Sequence, residues 1–414
     1  MKGFSFLHAA DLHLGAPFRG LRRRASREFA ARLAAAPVAA FRRIAEIARD
    51  EHAAFLLLAG DIFDSREVPL TTLAEFTAVV ESLGDAGISV FAVAGNHDFL
   101  PWPAAFVPPA NLRIFPADAA ETATVTGADG IPLAVVAGIS HGRAAETHDL
   151  VPRLTEVLRD APGFRIALLH ADIGGHPGFE PYAPAPLAEL LDSGAADYWA
   201  LGHVHTPGVL AREPAAVVYP GSPQGGSVIE AGPRFAQLVK VGADRRVEIE
   251  PRSVEAVRFE VVTVDRLDDV RTLPQLRERL RNAALDAVKS APRETLLRIV
   301  LKGSTPLNAA LRREDPDELE KFCAAALPAD GLLESVRLAT VSPLSAARRE
   351  GLAAEVEAVR GELPAELRKH LDSLRLPSRI FDGFSDDEIS AIAADAAETL
   401  IDRLADGGTG GAEE

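Results

Sequence analysis

Five apolar runs in this chain each end in residues that bind metal ions or move protons. Phe6 to Ala10 leads into Asp11-Leu12-His13, and Phe55-Leu56-Leu57-Leu58-Ala59 leads into Gly60-Asp61. Phe91-Ala92-Val93-Ala94 breaks at Gly95 and then presents Asn96, His97 and Asp98. Ile166 to Leu169 ends in His170, and Tyr198-Trp199-Ala200-Leu201 ends in Gly202-His203-Val204-His205. Buried parallel strands read as continuous apolar runs, and ligands of open α/β sheets collect at the C-terminal ends of the strands. Five strands are therefore expected to deliver carboxylate, imidazole and amide groups to one rim. Alternation along a strand would point Asp11 with His13, and His203 with His205, to the same side.

This set suits phosphoester hydrolysis. The reaction needs a strong nucleophile, neutralisation of phosphoryl charge and a proton for the leaving oxygen; two divalent ions about 3.5–4 Å apart supply the first two. Asp61, alone at its strand end, is the expected bridge between the ions. Asp11, His13 and His205 would complete one ion, and Asn96, His170 and His203 the other. A single Asp-x-His triplet arises readily by chance, whereas five such blocks in order do not. Nitrogen and oxygen ligands without sulfur suit Mn2+, with Fe2+ or Zn2+ as alternatives. His8, His52, His141, His148, His176 and His370 are read as structural or surface residues, with His176, in the loop after His170, the best exception.

The elements that must hold these residues follow from periodicity. Strands are expected near residues 4–10, 55–59 and 88–94, with a helix over about 26–50 that Pro37 should split and another over about 70–83. Strands alternating with helices imply right-handed βαβ units. Short strands around 112–115, 122–126 and 133–139 read as a meander. A helix near 151–159, a strand over 165–170, and strands near 217–219, 235–241 and 246–251 complete a first domain, 1–252. Residues 253–344 read as a small α+β domain: strand-like runs at 259–264, 296–301 and 335–340, with helices over about 273–289 and 318–326. Residues 345–414 read as a polar helical segment with a Gly-rich acidic tail, in which Ile389, Ile392, Ala396, Leu400 and Leu404 form one apolar stripe.

Composition narrows the class. The chain has 414 residues and a formal charge of −16, and its single cysteine, Cys323, excludes a disulfide framework and a thiolate metal site. No basic, apolar leader precedes the first strand and no run approaches the ~18 apolar residues of a membrane span, so a cytoplasmic location without membrane attachment is expected. The acidic total argues against a nucleic-acid binder, but the charge is polarised. Arg19 to Arg43 holds eight arginines against Glu28 alone, and Asp386 to Glu414 holds nine acids against Arg403. The arginine-rich stretch, with Arg22, Arg23 and Arg24 at its centre, is either a solvated helix face or a contact with phosphate backbones.

The five blocks resemble those of the calcineurin-like metallophosphoesterases, and the surrounding phrases resemble one branch, the SbcD/YhaO-like DNA-repair exonucleases. Those phrases are Ala10-Asp11-Leu12-His13-Leu14-Gly15, Gly60-Asp61-Ile62-Phe63-Asp64, Gly95-Asn96-His97-Asp98, Pro181-Tyr182-Ala183-Pro184, Asp197 to His205, and Tyr219-Pro220-Gly221-Ser222-Pro223-Gln224-Gly225. The resemblance covers about residues 1–235 well and weakens beyond. It implies an α/β fold built as a two-sheet sandwich flanked by helices, with a small α+β cap domain, and the same metal ligands as above. It further implies that His97 acts on the leaving group while Asp98 orients His97, that manganese is the metal, and that the C-terminal helices dock an SMC-like ATPase. DNA is the implied substrate, and a homodimer is a further partner left open. One departure is Gly226-Ser227, where YhaO-like chains are expected to carry a more basic Arg-His pair. Two rival readings stand beside the nuclease: a hydrolase of small phosphoesters using the same metals, and a non-catalytic scaffold subunit.

Overall fold

The computed structural model describes residues 2–16, 27–104, 106–127, 130–176, 180–289 and 293–343. Two compact units emerge. One comprises Met1–Glu260 with Ala291–Leu296; the other starts at Val261 and, within the described residues, runs to Pro343. The expected helical segment 345–414 and the cluster Arg22-Arg23-Arg24 lie outside the described residues.

The larger unit runs in chain order β1 (Phe4–Ala9), α1 (Arg27–Asp50), β2 (Phe55–Ala59), α2 (Leu70–Gly84), β3 (Ser89–Val93), β4 (Leu112–Ile114), β5 (Glu121–Thr126) and β6 (Pro132–Gly138). It continues with α3 (Val151–Leu158), β7 (Phe164–His170), α4 (Leu187–Asp192), β8 (Tyr198–Gly202), β9 (Gly208–Ala211), β10 (Ala216–Tyr219), β11 (Phe235–Val241) and β12 (Val247–Ser253). The strands form two mixed six-stranded sheets, in the orders β12-β11-β1-β2-β3-β4 and β5-β6-β7-β8-β10-β9. β1, β2, β3 and β4 pair in parallel in the first sheet, as do β6, β7, β8 and β10 in the second. All five strands that end in metal-type residues therefore sit centrally.

Both faces of these central strands are buried, which is why they read as unbroken apolar runs. In β2, Phe55, Leu57 and Ala59 face the other sheet, while Leu56 and Leu58 face the core that also takes Phe41 of α1 and Phe76 of α2. Between the sheets Phe6 stacks on Phe55 with ring centroids 4.9 Å apart, and Tyr198 meets Phe6 edge-on at 5.2 Å. Such offset and edge-on pairs add to the burial of large apolar area.

Two expectations from the sequence fail here. Pro37 does not split the first helix: α1 is continuous through it. Leu33 before the proline and Val38 and Phe41 after it are buried, and that packing outweighs the ~3 kcal/mol an interior proline costs. The three short strands between 112 and 139 are not a meander either. β4 extends the first sheet in parallel with β3, whereas β5 and β6 open the second sheet as an antiparallel pair. Apolar alternation marks a strand but does not name its partner.

A third sheet, β13-β14-β15 (Val257–Val264, Glu294–Ser304, Gly331–Val341), belongs to the smaller unit from Val261 and from Leu297 onward, together with helices α5 (Leu273–Lys289), α6 (Asn308–Arg313) and α7 (Pro316–Ala324). Leu276, Leu280 and Ala284 recur every fourth residue along α5 and share one core with Leu297, Ile299 and Leu301. Asp315 caps α7 by accepting from Asp317 N and Glu318 N, with Pro316 at the first helical position. No helix among the described residues is long and apolar enough to cross a membrane.

Because Phe55 stacks where the two sheets meet, Phe55→Ala is expected to destabilise the larger unit by about 3–5 kcal/mol. A clear fall in its urea midpoint checks this; an unchanged midpoint would mean the sheets are not held there.

Candidate metal centre

The site residues do not converge through strand alternation. Asp11, His13, Asp61 and His203 all lie beyond their strand ends with φ of 54°, 44°, 48° and 102°, a left-handed region that non-glycine residues enter rarely. Backbone bonds over-determine these conformations. Asp11 N donates to Gly60 O at 3.0 Å, His13 N to Asp61 O at 3.0 Å and Leu14 N to Ile62 O at 2.9 Å, so the loops after β1 and β2 stay paired. The amide of His203 reaches across from the second sheet to the Asp11 carboxylate, at 3.1 and 3.2 Å from its two oxygens. Strain of this kind persists where surrounding bonds hold it, and it clusters at functional sites.

The resulting geometry gathers the ligands in groups. Asp11, His13 and His205 form one, and Asp11, Asp61 and His170 another, each able to offer one ligand atom within 4.8 Å of the others. His13 Nε2 and His205 Nε2 lie 3.1 Å apart, close to the roughly 3.0 Å between two nitrogens each about 2.1 Å from a shared ion at right angles. His170 Nε2 stands 3.4 Å from Asp61 Oδ2 and 3.0 Å from Asn96 Oδ1. His170 Nδ1 donates to the Ala59 carbonyl at 2.9 Å, which leaves Nε2 as the ligating atom of the neutral ring. The donor set fits two ions: Asp11 is common to both groups, while Asp61, the expected bridge, belongs to the second and joins His13 in a further one.

His203 is brought to the same rim, its ring centroid 5.3 Å from that of His170, but it falls in none of the three groups found among the described residues. Its Nε2 donates to the Glu180 carbonyl at 2.8 Å, which leaves Nδ1 as the ring nitrogen that can ligate. His97 joins a third group with His13 and Asp61, and its backbone N–H donates to Asp61 Oδ1 at 2.9 Å.

Protonation follows from this crowding. Burial works against a charged His13, yet Asp64, Asp61 and Asp11 raise it to about 9. Burial likewise opposes a charged His170, which Asp61 and then Asp11 raise to about 9. Asp61 resists burial and is held well below the usual carboxylate range by His170, His13 and His97. A metal ion would replace these protons as the positive partner.

The Asp98 carboxylate makes its bonds to backbone and not to the His97 ring. Its two oxygens accept from the backbone N–H groups of Gly95 at 2.8 Å, Ile62 at 2.9 Å and Phe63 at 3.2 Å, so it ties the loop after β3 to the loop that carries Asp61. Burial, then the charge of Asp61, pushes its carboxyl up to about 7 against those bonds. The residue that holds His97 is Asp64, whose carbonyl accepts from His97 Nδ1 at 2.9 Å and whose carboxylate lies 4.0 Å from that nitrogen and 3.4 Å from His13 Nδ1. Sequence reasoning quoted Asp64 within Gly60-Asp61-Ile62-Phe63-Asp64 but gave it no task. The other described histidines stay structural: His141 donates to the His170 carbonyl at 2.7 Å, His8 meets Tyr198 Oη at 3.0 Å, and His176 pairs with Asp172 at 2.7 Å.

Beside the metal-type residues opens a cavity of about 310 Å³. It is lined by His13, Asp64, His97 and His205 together with residues of the segment 222–230. No lysine or arginine is among its described lining residues. Ala16, the last described residue before Arg22-Arg23-Arg24, is at its edge.

Two mixed sheets that bring carboxylates, imidazoles and an amide to a common rim define a metal-dependent phosphoesterase. Comparison with known proteins agrees: residues 4–207 match the calcineurin-like phosphoesterase family, and residues 259–341 match the middle domain of metallophosphoesterase YhaO. The "Uncharacterized metallophosphoesterase YhaO" of Bacillus subtilis is 32% identical over 309 residues, covering 73% of this chain and 72% of that protein. The chain belongs to the calcineurin-like metallophosphoesterases, in the group of YhaO. The DNA double-strand break repair protein Mre11 of Aeropyrum pernix is 28% identical over 226 residues, 52% of each chain. That of Haloferax volcanii is 29% identical over 259 residues, 60% of this chain and 53% of its own. The chain thus spans about half the length of these two Mre11 relatives.

Since His13 and His170 hold protons up to about pH 9 in the ion-free protein, ion uptake at neutral pH must release them. Apparent metal affinity is expected to tighten as pH rises from 6 to 8.5. Calorimetry in buffers of different ionisation enthalpy would count the protons; affinity flat across this range would contradict the pairing described.

Proposed function

We propose that this protein is a two-metal DNA nuclease of exonuclease type that serves DNA repair. The observation that carries the reading is the meeting at one rim of Asp11, His13, Asp61, Asn96, His170, His203 and His205 with His97 beside them. Likeness to two Mre11 proteins supports the choice of DNA. Manganese is the proposed metal, because the donors are imidazole, carboxylate and amide without thiolate. The proposed setting is the cytoplasm, with an SMC-like ATPase docked on residues 345–414 as partner.

Bound ions would neutralise phosphoryl charge and supply the activated nucleophile. The chain's own groups do the rest. The Asp64 carbonyl holds the Nδ1–H of His97, so Nε2 is the atom that carries a proton to the departing sugar oxygen. Asp98 keeps the loops of Asp61 and His97 in register through three backbone bonds.

A second reading, hydrolysis of small phosphoesters or nucleotides, is favoured by the cavity lining, which offers a polyanionic strand no cation among the described residues. Purified protein with Mn2+ separates the two when offered linear duplex, single-stranded DNA, a mononucleotide and a chromogenic phosphodiester. Hydrolysis of DNA is expected, and His97→Ala is expected to keep both ions while slowing turnover by roughly 10²–10⁴-fold. Turnover of the mononucleotide alone would install the second reading, and loss of metal in the variant would make His97 a ligand.

If Arg22, Arg23 and Arg24 contact phosphates, replacing them with alanine should weaken binding to all DNA sequences alike. The slope of log affinity against log salt should fall by about 0.9 for each lost contact on duplex DNA. An unchanged slope would assign the cluster to a solvated surface.

A further inference from the structure

His205 has a carboxylate at hydrogen-bond distance behind its ring. Its Nδ1 lies 2.8 Å from Glu230 Oε1, a carboxylate from the short 3-10 turn Val228–Glu230. The same carboxylate accepts from Ser222 Oγ at 3.1 Å and, through Oε2, from the Gly226 N–H at 2.6 Å. One guanidinium then fixes the main chain of both partners: Arg234 Nε donates to Glu230 O at 3.0 Å, and Arg234 Nη1 to His205 O at 2.9 Å. Arg234 is itself buried.

We propose that Glu230 is a positioning residue for the ion held by Asp11, His13 and His205: it fixes the tautomer and the direction of the His205 ring. An ionised carboxylate only accepts, so Nδ1 must carry the proton and Nε2 must carry the lone pair. That lone pair faces the point shared with His13 Nε2, 3.1 Å away. Carboxylates behind a ligating imidazole orient it and raise its basicity, and their loss typically weakens metal binding 10–100-fold. Glu230 also lines the cavity, so one side chain joins the substrate wall to the metal rim. The three other described histidines of the rim rest on neutral backbone carbonyls or lie beside Asp64: His170 on Ala59 O, His203 on Glu180 O, and His13 with Nδ1 3.4 Å from Asp64 Oδ1. The dependence on Glu230 is therefore confined to one of the two ions.

The proposal rests on the two-ion reading of the site, and the test separates the two. Manganese titrations followed by calorimetry and elemental analysis are run on the full chain, its Glu230→Ala and Glu230→Gln variants, and Ser222→Ala. The wild-type protein should take two ions. Glu230→Ala should bind one of them 10–100-fold more weakly and leave the other unchanged. Glu230→Gln, which keeps an acceptor for Nδ1–H, should recover part of that loss. In the metal-free protein, nitrogen NMR should find His205 protonated at Nδ1 in the wild type and as a tautomer mixture in Glu230→Ala; this readout needs no metal and no activity. Two ions bound with wild-type affinity by Glu230→Ala, or an unchanged tautomer, would overturn the proposal. An equal loss in Ser222→Ala, which leaves the His205 bond in place, would also overturn it by making the loop 222–230 the cause. Wild-type protein that takes up no manganese would instead remove the two-ion reading, and this proposal with it.

Discussion

At the rim the two sheets are joined by a hydrogen bond from His170 Nδ1 of β7 to the carbonyl of Ala59 at the end of β2, with the bond from His203 N to Asp11 beside it. Everything near it is built to allow that approach. A Cβ on Gly202 would stand 1.8 Å from the same Ala59 oxygen, and one on Gly60, whose φ is +89°, would stand 2.4 Å from His170 Nδ1. Neither position has room for a side chain. Once Ala59 and His170 are joined, Asp61 two residues on and Asn96 from the third strand fall within reach of His170 Nε2. The cross-sheet bond also gives His170 its tautomer, so a contact that holds the fold together prepares a ligand.

Strain is concentrated where the ligands are. Four of the seven candidate ligands sit in left-handed backbone, an arrangement that costs free energy at each residue. The cost is met by amide bonds that continue the β1–β2 pairing past the strands and by the bond from His203 N to Asp11. Asp98 belongs to the same restraint system, since both of its oxygens hold backbone rather than the His97 ring. It is a buried acid whose oxygens are satisfied by backbone N–H groups.

Charge follows a related division. Buried Asp11 and Asp61 face buried or half-buried imidazoles, and in the absence of ions the protons on His13 and His170 balance them. The cavity beside them adds Asp64 and Glu230 and no described cation. The proposed binding of a phosphate backbone would then rely on bound ions and on surfaces outside this cavity lining.

The sequence alone brought the candidate ligands into view and pointed them to one rim, because short continuous apolar runs ending in Asp, Asn or His suit buried parallel strands with polar ends. The helix of residues 273–289 was legible as well, from its four-residue apolar spacing. The sequence did not reveal which strands pair, so residues 112–139 were read as one meander when they divide between two sheets. Nor could it show that Pro37 stays inside a helix, since only tertiary burial on both sides offsets the lost hydrogen bond. The largest difference concerns roles. Asp98 is adjacent to His97 in sequence yet bonds backbone rather than its ring, while Asp64 and Glu230 reach the rim from 33 residues before His97 and 25 after His205. Neighbours along a chain leaving a strand in left-handed turns point to different places, and only the folded backbone decides which carboxylate meets which ring.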